Sequence, residues 1–486
     1  MPLLVPTMSG PVRGFVDSLS SSRQFLGVPY ADPPTRWKNP SPLTPWNGTK
    51  NTTKYGPACY QLRPVNAKYE VSEDCLYLDV YSPLAADSLL PVLVYIFGGS
   101  FQVGYSEGYD SAARALQMNV INVVINYRLN SFGFLSGLTG IDYNIGLKDQ
   151  QMALQWVKEN IVFFGGDPLN IVINGESAGA SSIMFHLVMP SSSEGLFNGA
   201  ILESSASPII YECNSSLYQS RARSWASSLG CNGSNIISCL EKVDSSRVLA
   251  IYETWVPCID YQVISAPPLL SFKEGSYQDV PIIHGFNSDE GNLFAVLFGS
   301  PGNITDQEYE KVTPLAITSV LFLEEDYVPE IMTWYNPARK TLGNWNTLSR
   351  IIGDGLFNCP LNLISSEVSK TNQKYYRYLF RHHPHNSVYP QLNATHGLEI
   401  PFFFGNSSLL GYLSPPLFTQ EEEMLSLNIL TLLSQFMYTK DPSPEWPPLN
   451  SGYSYVFDIP PTTINSIPLF SYCVNWESLY LKIHGK

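Results

Sequence analysis

A serine framed by glycines lies in the stretch IVINGESAGA, residues 171–180. Ser177 stands between Gly175 and Gly179, after a run of β-branched residues. A structural serine needs no such frame. A nucleophile on a sharp strand-to-helix turn does, because flanking glycines let strand and helix approach closely and the helix N-terminus aims free N–H groups at the reacting atom. The competing reading is a helix N-cap, a position serine also fills well.

A serine hydroxyl is a poor nucleophile at neutral pH. It needs a base within hydrogen-bond reach and an acid that orients the base. Seven histidines are available: His186, His284, His382, His383, His385, His396 and His484. The chain order serine, acid, histidine places the base downstream. His382, His383 and His385 fall in RHHPHN, a polar turn, and His284 lies inside an apolar strand, where it reads as a satisfied core residue. His396, in NATHGLEIPFFFG, follows a loop and precedes Gly397, so its ring can project into a cleft. For the acid, GFNSDEGNLF sets Asp289 and Glu290 just past a strand, where open α/β sheets place ligands. These residues alone do not separate the two carboxylates. The attacked carbonyl oxygen becomes an anion that preorganised donors must meet. YIFGGSF, residues 95–101, ends a strand in Gly98 and Gly99, whose N–H groups could serve with that of Ala178. A plain glycine turn fits that segment equally well.

The elements that must carry these groups are visible as double-sided apolar runs, the pattern of strands covered on both faces. They are PVLVYIF (91–97), NVINVVIN (119–126), NIVIN (170–174), GAILES (199–204), VPIIHGF (280–286), KYYRYLF (374–380) and YSYVFDI (453–459). Between the second and third, Leu147, Leu154, Val157 and Ile161 recur at the spacing of one helix face. This alternation predicts a doubly wound α/β sheet. The chain reads as one domain over residues 1–486 with large insertions after about residue 205. Two proline-rich stretches, PTRWKNPSPLTPW and DPSPEWPP, read as surface connections.

The bulk properties bound the function. Of 486 residues, 44% are apolar and only 14% charged, which supplies a large core and excludes disorder. The net charge of −14, with no basic stripe, argues against nucleic acid or an anionic membrane surface as partner. No apolar run reaches the length of a bilayer span, and the first residues lack the basic start and long apolar core of a signal peptide. The last residues, KIHGK, are no endoplasmic-reticulum retention signal. Eight widely spaced cysteines without a CxxC pair suit disulfides and an oxidising compartment rather than zinc. Seven Asn-x-Ser/Thr sequons, at Asn47, Asn51, Asn214, Asn232, Asn303, Asn393 and Asn406, are compatible with a secreted glycoprotein.

Taken together, FFGGDPLNIVINGESAGA resembles the active-site signature of the type-B carboxylesterase and cholinesterase family, and SEDCLYLDVYSP its second signature. The likeness extends in order through GPVRGF, FLGVPYADPP, YIFGGSF, INYRLNSFGFL, GLKDQQMALQWVKENI, GFNSDEG and HGLEIPFFFG. The resemblance implies an α/β-hydrolase fold: a large, mixed, mostly parallel central sheet with helices on both faces. It implies Ser177 as nucleophile, Glu290 as acid and His396 as base, so it breaks the tie with Asp289. It maps the oxyanion donors to Gly99, Ser100 and Ala178. It also maps Glu176 to a buried glutamate that tunes the site, and Ser205 to a serine that bonds the acid. It implies disulfides Cys59–Cys75, Cys231–Cys239 and Cys359–Cys473, and Cys213–Cys258 pairs what remains. It implies serine chemistry on a small-molecule ester, with no metal or organic cofactor.

Four positions depart from the family pattern. Ser100 stands where a third glycine is usual, and only glycine tolerates every backbone angle. Phe97 replaces a histidine or tyrosine. The choline-site tryptophan of cholinesterases should fall near Val65, where this chain has none, and Leu293 replaces another of their aromatic residues. A quaternary ammonium would lose its main cation–π platform. The expected activity is therefore that of a general carboxylesterase. The alternatives are an interfacial lipase or sterol esterase, and an adhesion protein built on the same fold.

Overall fold

The apolar runs become strands whose side chains are buried on both faces. The computed structural model describes residues 3–62, 67–206, 210–385, 387–409, 417–465 and 472–484. Two units emerge, one formed by Met1–Gly199 with Ile210–Pro267, the other by Ala200–Ile209 with Pro268–Lys486.

In the first unit the strands are β1 (Phe15–Asp17), β2 (Ser22–Pro29), β3 (Tyr77–Pro83), β4 (Leu90–Ile96), β5 (Ile121–Ile125) and β6 (Gly166–Glu176). Their order is β6-β4-β5-β3-β2-β1. β4 lies at the centre of the parallel part, with Val94 registered on Ile173 of β6 and on Val123 of β5. The other neighbours, β5/β3, β3/β2 and β2/β1, run antiparallel. All seven residues of β4 and all five of β5 are buried, as strands packed on both faces require. Each fully buried valine or leucine side chain here contributes roughly 1.5–3 kcal/mol.

Helix α1 (Ile145–Asn160) follows the predicted face: Leu147, Leu154 and Val157 are fully buried. Asp149 on the same helix is buried against Arg128, with Oδ1 2.6 Å from Nη2. The segment Ile210–Pro267 folds back onto this unit. Asn144 fastens it, donating from Nδ2 to the Cys258 carbonyl and accepting from the Cys258 N–H.

In the second unit β7 (Gly199–Glu203, which belongs to this unit from Ala200 on), β8 (Ile282–Asn287), β9 (Tyr375–Phe380) and β10 (Tyr453–Phe457) run parallel, and β11 (Thr462–Asn465) pairs antiparallel with β10. All eight cysteines are paired, as Cys59–Cys75, Cys213–Cys258, Cys231–Cys239 and Cys359–Cys473. Among the described residues no helix is long and apolar enough to cross a membrane.

Candidate active site

In the first unit, β6 ends at Glu176 and helix α2 (Ala178–Leu187) starts two residues later. Ser177 alone makes the turn, at φ 56° and ψ −123°, a conformation that an L-residue holds only under constraint. The flanking glycines show what imposes it. A Cβ on Gly175 would stand 2.6 Å from the Ile96 carbonyl oxygen, and one on Gly179 only 1.9 Å from the same atom. Strand and helix therefore approach β4 more closely than any side chain allows. The Ser177 side chain makes no helix-capping bond, so the N-cap reading does not describe it.

Next to this turn, β4 runs into the glycine loop. A Cβ on Gly98 would meet the Ser177 Cβ at 2.8 Å and Glu176 Oε2 at 2.7 Å. Gly99, at φ 111°, has no room for a side chain against the Val103 carbonyl, 2.1 Å from the position of a Cβ. The loop curls on itself, with Gln102 and Val103 N–H both donating to the Gly99 carbonyl. Ser100 and Phe101 also hold positive φ, at 56° and 62°. The serine in place of the third glycine thus occupies the left-handed region that glycine would fill without strain. Glu176 is buried. Phe97 stacks on Tyr127 at 4.6 Å, and the Tyr127 hydroxyl donates to the Phe97 carbonyl. Burial, and after it the charge of Glu176, pushes the Tyr127 phenol well up.

In the second unit a carboxylate and an imidazole meet. Glu290 Oε2 lies 2.6 Å from His396 Nδ1, and both side chains are almost wholly buried. The other Glu290 oxygen accepts from the Asn287 N–H at 2.7 Å. Of the two carboxylates left open by the residues alone, Glu290 is therefore the one on the histidine. Asp289 is half-buried and accepts from the neighbouring Ser288 hydroxyl. The His396 ring is flanked by Phe294 at 5.2 Å and Phe357 at 4.5 Å. Phe357 sits on a π-helical turn, Asp354–Asn358, of a kind frequent at functional sites.

Ser205 requires a correction. Its hydroxyl meets His284 Nε2 at 2.6 Å rather than the acid. The chain turns at Ser204, whose φ is 51°, so that Ser204 is the serine facing a carboxylate, donating to Glu399 Oε1 at 2.8 Å. His284 is the satisfied core residue expected, bonded also to the Tyr375 hydroxyl at 2.7 Å, and burial lowers its pKa to about 3.

Glu399 was not singled out from the sequence. It is fully buried, and its pKa is pushed up to about 7, first by burial and then by the charge of Glu290. Its only sequence signal is its place three residues after His396. Asn287 likewise carries no sequence signal beyond its place at the end of the strand that leads to Glu290. Val65 lies outside the described residues.

A mixed, mostly parallel sheet with helices and a serine on a strand-to-helix bend define an α/β-hydrolase fold. Residues 2–467 match the family profile described as Carboxylesterase family. The chain is 33% identical over 491 aligned residues to an acetylcholinesterase of Bungarus fasciatus, an alignment covering 91% of this chain and 79% of that protein. The chain belongs to the carboxylesterase family and is a carboxylic ester hydrolase.

Proposed function

We propose that the protein is a general carboxylesterase working through an acyl-enzyme on Ser177. The ester carbonyl oxygen sits near the N–H groups of Gly99, Ser100 and Ala178. His396 takes the Ser177 proton as the hydroxyl attacks the carbonyl carbon, and Glu290 stabilises the imidazolium that forms. His396 then protonates the departing alcohol and activates the water that splits the acyl-enzyme. Side chains move every proton in this cycle, so it calls for no cofactor. The observation that carries the reading is the strained, uncapped Ser177 on a bend that Gly175 and Gly179 make possible.

The likeness to an acetylcholinesterase points to a choline ester. Two residues speak against transferring it. No tryptophan occurs between Tyr60 and Cys75, the stretch around Val65, and Leu293 offers no aromatic face, so a quaternary ammonium loses its main cation–π platform. Eight cysteines paired in four disulfides favour an oxidising, secretory or extracellular setting.

The test is a panel of esters graded in acyl and alcohol length, together with acetylcholine, assayed above and below micelle formation. Turnover of short neutral esters without an interfacial jump is expected. An activity jump at micelle formation would point to a lipase, and no turnover at all to a binding protein. Phosphonate labelling that persists in Ser177→Ala would dismiss Ser177 as the nucleophile.

A further inference from the structure

We infer that Asn287 is a positioning residue, a clamp that holds the loop bearing His396 against the strand that delivers Glu290. The inference rests on the reading of Glu290 and His396 as acid and base. Asn287 is the last residue of β8 and is completely buried. Its backbone N–H donates to Glu290 Oε1 at 2.7 Å. Its side-chain amide donates to the Thr395 carbonyl at 2.7 Å and to Glu399 Oε2. One NH2 group thus holds the residue before His396 and the carboxylate three residues after it. The same residue's main chain holds the acid.

The chemistry singles out an amide. Two acceptors, a carbonyl and a carboxylate, must be met by one short side chain, and only an NH2 offers two donors in that shape. An aspartate of the same size would face both with lone pairs. A flipped amide would do the same, which fixes the orientation. The Asn287 Oδ1 is buried with no hydrogen-bond partner among the described residues. A buried unsatisfied acceptor is costly and calls for an explanation. Here the explanation is that both donors are committed to the loop of the base. Ser204, the second donor to Glu399, keeps that carboxylate in reach of the amide.

The experiment compares Asn287→Ala and Asn287→Asp with wild type on one soluble ester, with folding checked by near-ultraviolet circular dichroism. A loss of about tenfold or more in kcat with KM nearly unchanged is expected, because a small displacement of the base costs the transition state rather than binding. The aspartate variant should be the slower, and phosphonate labelling of Ser177 should slow in parallel. If neither variant folds, Glu399→Gln supplies the reading. There only one of the two positions, facing Asn287 or Ser204, keeps an acceptor oxygen and the other becomes an NH2, and a smaller loss with the same split is expected. A folded variant that keeps wild-type kcat, or that loses only in KM, overturns the clamp. Ser177→Ala and His396→Ala serve as controls. If they abolish turnover while Asn287→Ala does not, the clamp alone fails. If they retain turnover, the acid–base reading fails and the clamp falls with it.

Discussion

Ser177 and His284 illustrate two ways in which burial bears on a single side chain. Ser177 is held in a strained conformation by packing behind it, and such strain persists only where surroundings over-determine it. On the proposed mechanism, Glu290→Gln lowers kcat by about 10³–10⁴-fold, since the imidazole then loses both its orientation and its counter-charge. Asp289→Asn leaves kcat about unchanged in the same ester assay. His284 carries a pH prediction instead. Burial lowers its pKa from 6.5 to about 3. Below the ordinary value the unfolded chain takes up a proton that the folded chain refuses, so stability is lost as pH falls from 6.5 towards 3. Thermal unfolding followed across that window should show a shallower decline in His284→Gln than in wild type. An equal slope would mean that other groups carry the acid sensitivity.

At the scale of elements, the decisive contact is between β4 and the β6–α2 turn. Gly179→Ala would push a methyl group into the Ile96 carbonyl, where main chain cannot step aside cheaply. A loss of about 2–3 kcal/mol in urea unfolding is expected, as for other overpacked sites. The glycine pattern was legible because this turn is local: strand, serine and helix are consecutive. Loops were less legible. The two proline-rich stretches read as surface connections, yet Trp37 and Trp446 within them are buried. Their indole N–H groups donate to the carbonyls of Ser131 and Arg377, respectively. Local composition marks the backbone as irregular but is silent on where a single aromatic side chain is sent.

For the molecule as a whole, net charge and disulfides set the terms. A charge of −14 leaves a neutral small-molecule ester a more suitable ligand than a polyanion. The disulfides differ in what they constrain. Cys359–Cys473 spans 114 residues and Cys231–Cys239 only 8. On the loop-entropy model the first is worth about 4–5 kcal/mol and the second about 2–3. Removing each pair as a double serine variant should therefore cost more stability for the long loop than for the short one, measured by denaturant titration. The reverse order would show that native contacts, not chain entropy, dominate.

The sequence by itself did not determine the outer strands β1, β2, β3 and β11, but it determined the strands β4 to β10, the helix face of α1 and the bend at Ser177. Each is specified by neighbours in the chain, through alternation, helical spacing and glycine placement. Residue by residue it narrowed the acid to two adjacent carboxylates and favoured His396 as base, and the family resemblance chose Glu290. The tertiary structure brings Glu290 onto His396, as the family resemblance implied, and it alone decided that Ser204 rather than Ser205 faces a carboxylate and that Asn287 and Glu399 belong beside them. Those outcomes depend on distances between residues about a hundred or more positions apart in the chain, and a difference of one residue in a turn reverses which side chain points where.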